Sequence, residues 1–305
     1  MISEGNILLS RREFLGATAV GVGAMAALGA DPLGEAKGRL KVVGFFKPFQ
    51  KLPFDEIGDF AKEAGWDGVE CPLRKGGAIE PEAVEEKLPG FVEAMRKRQL
   101  EVPVIATDVE DASDRVSQRV LKTASKLGIT RYRLKHYYYD LKQPIAPQLK
   151  NFAAKLRDLA QLNGELGVQG SVQNHSGDKY VGAPVWDLWE LMRDLDPKRM
   201  GIFFDIGHAT VEGGYAWPIH AKLAEPLLSV VSVKDFVWEK SGGNWRAEWC
   251  PLGDGMIRPQ FFETLRNSKF NGPVSMHFEY RMGEGKEMLA AMKKDTQVLR
   301  KWLGA

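Results

Sequence analysis

Five histidines occur in this chain, and His136, His175, His208 and His277 stand at or just beyond short apolar runs, among carboxylates and a lysine. Imidazole titrates near pH ~6.5 when unperturbed, so histidines gathered there would exchange protons at neutral pH. In extended chain, residues two apart point to the same side. Gln173 and His175 therefore share a face, as do Ser232 and Lys234, and His277 and Glu279. Asp205 closes the run Phe203-Phe204 and opens Asp205-Ile206-Gly207-His208, while Glu70 closes Asp67-Gly68-Val69-Glu70. A carboxylate ending a buried run either reacts or pairs with a cation, and both readings stand for Glu70. A lysine in an apolar strand is costly unless it meets carboxylates, for which Asp205 and Glu279 are the expected partners of Lys234, in a functional or a purely structural network. The expected reacting groups are His175, Asp205, His208, Lys234, His277 and Glu279. The expected ligand contacts are Glu70, His136, Gln173, Asp235 and Trp238.

Positioning such a set requires a rigid frame. From Leu40 onward, short apolar runs alternate with amphipathic stretches, the pattern of parallel strands joined by helices. Strands are predicted at 40–46, 68–71, 101–106, 131–134, 169–173, 200–205, 228–234 and 273–279. Helices are predicted at 54–64, 82–98, 112–127, 146–166, 183–195, 217–224, 258–267 and 286–303. Gly65, Gly128 and Gly167 each follow a helical pattern, where a left-handed cap is expected. Eight such units make one (β/α)8 TIM barrel, a fold of typically ~250 residues. An open doubly wound sheet is the alternative, but Lys47-Pro48-Phe49 follows the first strand with no G-x-G-x-x-G. In a barrel, chemistry sits at the C-terminal strand ends. His136, His175, His208 and His277 fall there; His220 falls in a predicted helix.

The stretch 236–257 after the seventh strand is long for a connection and ends in Pro251-Leu252-Gly253-Asp254-Gly255, so it is expected to cover the mouth. It carries Trp238, Trp245 and Trp249, and Tyr137-Tyr138-Tyr139 follow the fourth strand. These rings suit a carbohydrate ligand, or else they pack the loop or a subunit contact.

Across its 305 residues the chain is 44% hydrophobic and 27% charged, an ordinary globular composition. Lys plus Arg number 42 against 40 Asp plus Glu, a net +2, which lacks the basic excess of a nucleic-acid binder. Cys71 and Cys250 allow at most one disulfide.

Ser10-Arg11-Arg12-Glu13-Phe14-Leu15 precedes an uncharged stretch of small and apolar residues at 16–30. This resembles a bacterial twin-arginine export signal. The apolar run is shorter and more weakly hydrophobic than the ~20 residues of a membrane span. Cleavage is expected after Ala30, leaving a barrel domain at 31–305, no stable membrane span, and a periplasmic or other extracytoplasmic location. An uncleaved amphipathic helix is the alternative. The resemblance implies folding before export, and an oxidising compartment where the two cysteines would pair if close.

Six motifs in order, Gly65-Trp66-Asp67-Gly68-Val69-Glu70, Gln173-Asn174-His175, Asp205-Ile206-Gly207-His208, Val233-Lys234-Asp235, Pro251-Leu252-Gly253-Asp254-Gly255 and Gly272-Pro273-Val274-Ser275-Met276-His277, resemble the sugar phosphate isomerase/epimerase group of xylose-isomerase-like TIM barrels. The resemblance implies isomerase or epimerase chemistry on a small carbohydrate, a homo-oligomer, and a divalent metal such as Mn, Co or Zn. In that group the metal is held by Glu, Asp, His and Glu from strands five to eight. Position by position these fall on Gln173, Asp205, Ser232 and His277, making Asp205, His277 and Gln173 the expected ligands, with one carboxylate where the pattern has three. Two repairs offer themselves: an outward-shifted set of His175, Asp205, His208, His277 and Glu279 suited to Zn, Mn or Fe, or no metal, with the Lys234 ammonium in its place. Gln173 and His277 also stand where the group has its acid and base glutamates, which leaves histidines to move protons. The expected activity is proton transfer beside the carbonyl of a keto-sugar. A lyase or hydrolase of 3-keto glycosides, which starts with the same step, and a non-catalytic carbohydrate-binding barrel are the alternatives.

Overall fold

The computed structural model describes residues 39–304; the expected export signal at 1–30 lies outside the described residues. Eight parallel strands close into a barrel: β1 (Val42–Phe45), β2 (Gly68–Leu73), β3 (Glu101–Thr107), β4 (Arg131–Arg133), β5 (Gln169–Gln173), β6 (Met200–Asp205), β7 (Leu228–Val233) and β10 (Val274–Met276), which returns to pair with β1. Parallel strands covered on both faces are buried along their length and read as nearly continuous apolar runs. All six residues of β2 and all six of β6 are indeed buried. Around them lie α1 (Phe54–Glu63), α2 (Val84–Arg96), α3 (Arg115–Lys126), α4 (Ile145–Leu166), α5 (Val185–Met192), α6 (Ile206–Gly213), α7 (Trp217–Ala224), α8 (Pro259–Asn267) and α9 (Gly285–Trp302).

Local chemistry explains where these elements start and stop. Asp114 caps α3 by accepting from the Ser117 N–H at 2.7 Å, leaving fewer helix-start donors unsatisfied. Gly65, Gly128 and Gly167 all take positive φ before the next strand, as expected. Outward-facing Phe204 packs on Phe261 of α8, whereas Val104, Phe203 and Val230 form a small separate cluster.

Three elements depart from expectation, and each bears on the mouth. The Asp205-Ile206-Gly207-His208 segment is the first turn of α6, with Asp205 as its cap. The eighth barrel strand ends at Met276, so His277 makes one further ladder bond, to Val233 O at 2.9 Å, before the chain turns away. The stretch expected as a cover is an antiparallel hairpin of β8 (Asp235–Ser241) and β9 (Asn244–Cys250). Its two-residue turn is Gly242-Gly243, with φ of 58° and 88°, as a tight hairpin of matching twist requires. Cys71 is buried in β2, Cys250 closes β9, and both thiols are free.

Candidate active site at the barrel mouth

Asp205, fully buried at the end of β6, uses its two oxygens for two tasks. Oδ1 accepts the His208 backbone N–H at 2.9 Å, which caps α6. Oδ2 faces the mouth, where it accepts from Gln173 Nε2 at 3.0 Å and pairs with Lys234 Nζ at 3.3 Å. Burial pushes this carboxyl up, but the Lys234 ammonium, with the neighbouring histidines, outweighs it and holds it far below the ordinary range. Lys234 is 5% exposed, and its ammonium lies 4.7 Å from the Trp249 ring centre, a cation–π contact. Gly207 makes this approach feasible, since a Cβ there would meet Lys234 Cγ at 2.8 Å.

A second cluster lies across β1, between β2 and β10. Glu70 Oε2 accepts from Ser275 Oγ at 2.7 Å and lies 3.0 Å from His277 Nε2. Burial pushes the Glu70 carboxyl up, but His277, Arg133 and Ser275 together hold it below its usual value. An ionised carboxylate only accepts, so His277 Nε2 donates to it. Arg133, buried at the end of β4, joins the two clusters: Nε stands 3.7 Å from Glu70 Oε1, and Nη1 donates to Gln173 Oε1 at 2.6 Å and to His136 Nε2 at 3.1 Å.

Three imidazoles are held neutral beside them. Burial, then the Arg133 charge, lowers His136 to about 2. Burial, then the Lys234 charge, lowers His175 to about 4. His208 is driven well below its ordinary value by burial despite the Asp205 charge. The His175 ring lies between His208, at 3.8 Å between centres, and Tyr180, at 4.1 Å. Its Nδ1 donates to Ser176 O at 2.8 Å, which leaves the Nε2 lone pair as a base. His208 Nδ1 bonds Ser176 Oγ at 2.7 Å.

The structure thus brings His175, Asp205, His208, Lys234, His277, Glu70, His136 and Gln173 to one end of the barrel, and sets three expected residues apart. Glu279 lies past the end of β10, where the chain has swung off the ladder, and pairs with Lys47 at 3.6 Å; its expected ion pair with Lys234 does not form. This pair borders a cleft of about 720 Å³ between Lys47–Leu52 and Phe278–Gly285. Asp235 accepts the backbone N–H groups of Phe236, Ile257, Gly253 and Gly255 at 2.8 to 3.1 Å, so it ties down the chain after β9 and has no lone pair left for a ligand. Trp238 stands on the hairpin, 43% exposed. Sequence reasoning passed over Arg133, Ser176 and Ser275. An arginine two places into the predicted fourth strand was the available signal for Arg133.

Over residues 59–302 the chain matches the family described as xylose isomerase-like TIM barrel. It belongs to that family. A curated relative, the uncharacterized protein MJ1311 of Methanocaldococcus jannaschii, is 25% identical over 157 residues, 51% of this chain and 49% of that protein, so the chain spans about half the length of the relative it matches. Among solved structures, the chain is similar in fold to 3-keto-D-glucoside 4-epimerase YcjR of E. coli, with TM-score 0.66 at 16% identity, covering 86% of this chain and 100% of that one. D-psicose 3-epimerase of Clostridium cellulolyticum H10, with D-tagatose, gives 0.65 at 13%, covering 87% and 99%. A xylose isomerase-like TIM barrel protein of Mycobacterium smegmatis, in complex with magnesium, gives 0.62 at 14%, covering 87% and 98%.

The metal that the family resemblance implies does not suit the donors present here. At the four family positions, the carbonyl oxygen of Gln173 is engaged by Arg133, Asp205 Oδ2 by Gln173 and Lys234, and His277 Nε2 by Glu70. Ser232 is a poor ligand, and an ammonium 3.3 Å from the one carboxylate opposes a second cation there. The outward-shifted set does not assemble either, because Glu279 faces Lys47 and His277 Nε2 is taken by Glu70. Among the described residues, no three His, Cys, Asp or Glu side chains form a metal-holding group. Mn, Co or Zn would therefore have to displace a buried lysine.

Proposed function

We propose that this chain is an exported enzyme that moves a proton on the carbon beside the carbonyl of a keto-sugar or related carbohydrate, in a reaction of the isomerase or epimerase type. The carrying observation is the buried Lys234 ammonium, held by Asp205 at 3.3 Å, next to imidazoles that stay neutral. Removing a proton beside a carbonyl needs a base and a positive group for the oxygen that becomes anionic. His175 Nε2 is the base, oriented through Nδ1 by the Ser176 carbonyl. Lys234 stabilises the enediolate oxygen, and Asp205, 3.3 Å away, holds that ammonium in place. Return of the proton by His175 to the neighbouring carbon gives isomerisation; protonation of the original carbon from the opposite face, by a second acid or water on that side, gives epimerisation. The likeness to barrels named as keto-sugar epimerases supports this reading. Export rests on Arg11-Arg12 and the apolar run at 16–30.

The test is deuterium wash-in. The mature exported protein is incubated in D2O with D-psicose, D-tagatose or a 3-keto-D-glucoside, and proton NMR reads the carbon beside the ketone. Exchange that disappears in Lys234→Met and His175→Phe is expected. Absence of exchange on every sugar would leave a carbohydrate-binding barrel. Elimination from a 3-keto glycoside begins with the same proton removal, and release of the aglycone in the same tubes would assign that outcome.

A further inference from the structure

We propose that one face of the β8–β9 hairpin is an extended carbohydrate subsite, so that the substrate is a glycoside or oligosaccharide whose keto-sugar unit lies at Lys234 and whose remaining units run outward along the hairpin. This rests on the keto-sugar reading of the mouth.

Register fixes which residues share that face. Phe236 pairs with Trp249, Trp238 with Ala247 and Lys240 with Trp245. Directly opposed residues and those two apart point to the same side, so one face presents Phe236, Trp238, Lys240, Trp245, Ala247 and Trp249. The other face is polar over most of its length, with Arg246 and Glu248 paired at 3.6 Å. The aromatic row is continuous with the proposed reacting groups. Trp249 lies under Lys234 and takes the His208 ring edge-on at 5.2 Å. Phe236, fully buried, touches Trp249 at 6.0 Å and Trp238 at 5.5 Å between ring centres. From there the row emerges into solvent, with Trp238 43% and Trp245 66% exposed.

Trp249 lies four positions beyond Trp245, a rise of roughly 14 Å along a strand, which outruns a single sugar ring. An indole face matches the C–H face of a pyranose and leaves the sugar hydroxyls at the edge for water and the Lys240 ammonium. Ala247, opposite Trp238, is the smallest side chain of the row and leaves a trough between the indoles. A stable protein partner needs ~800 Å² per side. Two exposed indoles supply at most ~500 Å² even if wholly covered, which favours a narrow, linear ligand.

The experiment uses the mature exported protein, Trp245→Ala, and the Trp238→Ala/Trp245→Ala double variant, with circular dichroism melting to verify folding. Titration with β-1,4-, α-1,4- and β-1,3-glucan tetrasaccharides is read by calorimetry, and kcat/KM is compared for 3-keto-cellobiose and D-psicose. One tetrasaccharide should bind the wild type and lose about tenfold in affinity with each tryptophan removed. The ratio of kcat/KM for keto-disaccharide over ketohexose should fall by about tenfold in the double variant, because the second sugar ring reaches Trp238 and not Trp245. Wild type that binds no tetrasaccharide and variants that leave the ratio unchanged would overturn the subsite. So would variants that convert a dimer to a monomer in sedimentation, since the face would then be a protein contact. Tetrasaccharide binding that depends on Trp245 without turnover of any keto-sugar would support the subsite and sink the chemistry; turnover with an unchanged ratio would do the reverse.

Discussion

Replacing Asp205 by Asn separates the two tasks of one side chain. Asn caps helices about as well as Asp, so the bond from the His208 N–H survives and the ~1 kcal/mol of a lost cap is avoided. What disappears is the negative charge 3.3 Å from Lys234, and the ammonium is left buried beside an amide and an indole. Removing one partner of a buried ion pair costs ~3–5 kcal/mol, because the remaining charge stays out of water uncompensated. Lys234→Met should cost a similar amount from the other side. The double variant buries neither charge and should cost about as much as one single change, a coupling of about 3 kcal/mol or more. Urea unfolding at pH 7, followed by tryptophan fluorescence, measures all four proteins. Single costs that add to within ~0.5 kcal/mol would refute the pairing. The pH dependence has a fixed sign. The folded Asp205 carboxyl is held below its unfolded value of ~3.9, so its stabilisation is complete above that pH and fades as pH falls further. The gap between wild type and Asp205→Asn should hold from pH 7 to 5 and narrow in stronger acid.

Other perturbations probe separate parts of the molecule. With His175 lowered to about 4, deuterium exchange should be flat between pH 8 and 5 and fall as pH passes about 4; His175→Phe should reduce it at least ~100-fold, and a profile centred on pH ~6.5 would remove His175 as the base. Asp295 in α9 accepts from Tyr280 Oη at 2.8 Å and is raised to about 6, first by burial. Two pKa units amount to about 3 kcal/mol of folding cost, present above pH ~6 and gone below ~3.9. Asp295→Asn should therefore stabilise the protein by up to that amount at pH 8 and not at pH 4, and equal gains at both would contradict the burial account. Changing Arg11 and Arg12 together to Lys should leave the full chain in the cytoplasm by cell fractionation, and undiminished export would refute the signal.

The barrel was legible because a parallel strand buried on both faces must be a nearly unbroken apolar run, and Phe203-Phe204 or Val230-Val231 can be little else. Helix α6 was missed because Asp205-Ile206-Gly207-His208 follows directly on the sixth strand and its glycine looks like a loop, although Asp205 three places before His208 is also a capping signal. The hairpin was announced by Gly242-Gly243 between alternating residues, a two-residue turn hidden inside a segment read as irregular. Histidines at strand ends marked the mouth, but spacing along the chain does not tell which groups meet across it. Glu70 and His277 are 207 residues apart in sequence, and Arg133 belongs to the site only because closure brings β4 opposite both clusters. Glu279 illustrates the converse. The two-residue period that tied it to His277 holds only while the chain stays on the ladder, and it leaves the ladder at that point.

Asp235 has a consequence beyond the bonds it makes. By gathering four backbone N–H groups from both sides of the hairpin, it pins the two feet of a ribbon whose turn is free of the barrel. The ribbon is then a cassette: residues between Val237 and Glu248 can be exchanged, lengthened or shortened while the anchored ends keep Trp249 against Lys234. Preference for what arrives at the mouth and the act carried out there become separable quantities, one set by an exchangeable tip and the other by side chains that also hold the barrel together. Grafting the ribbon of another barrel between these feet would move the first without the second.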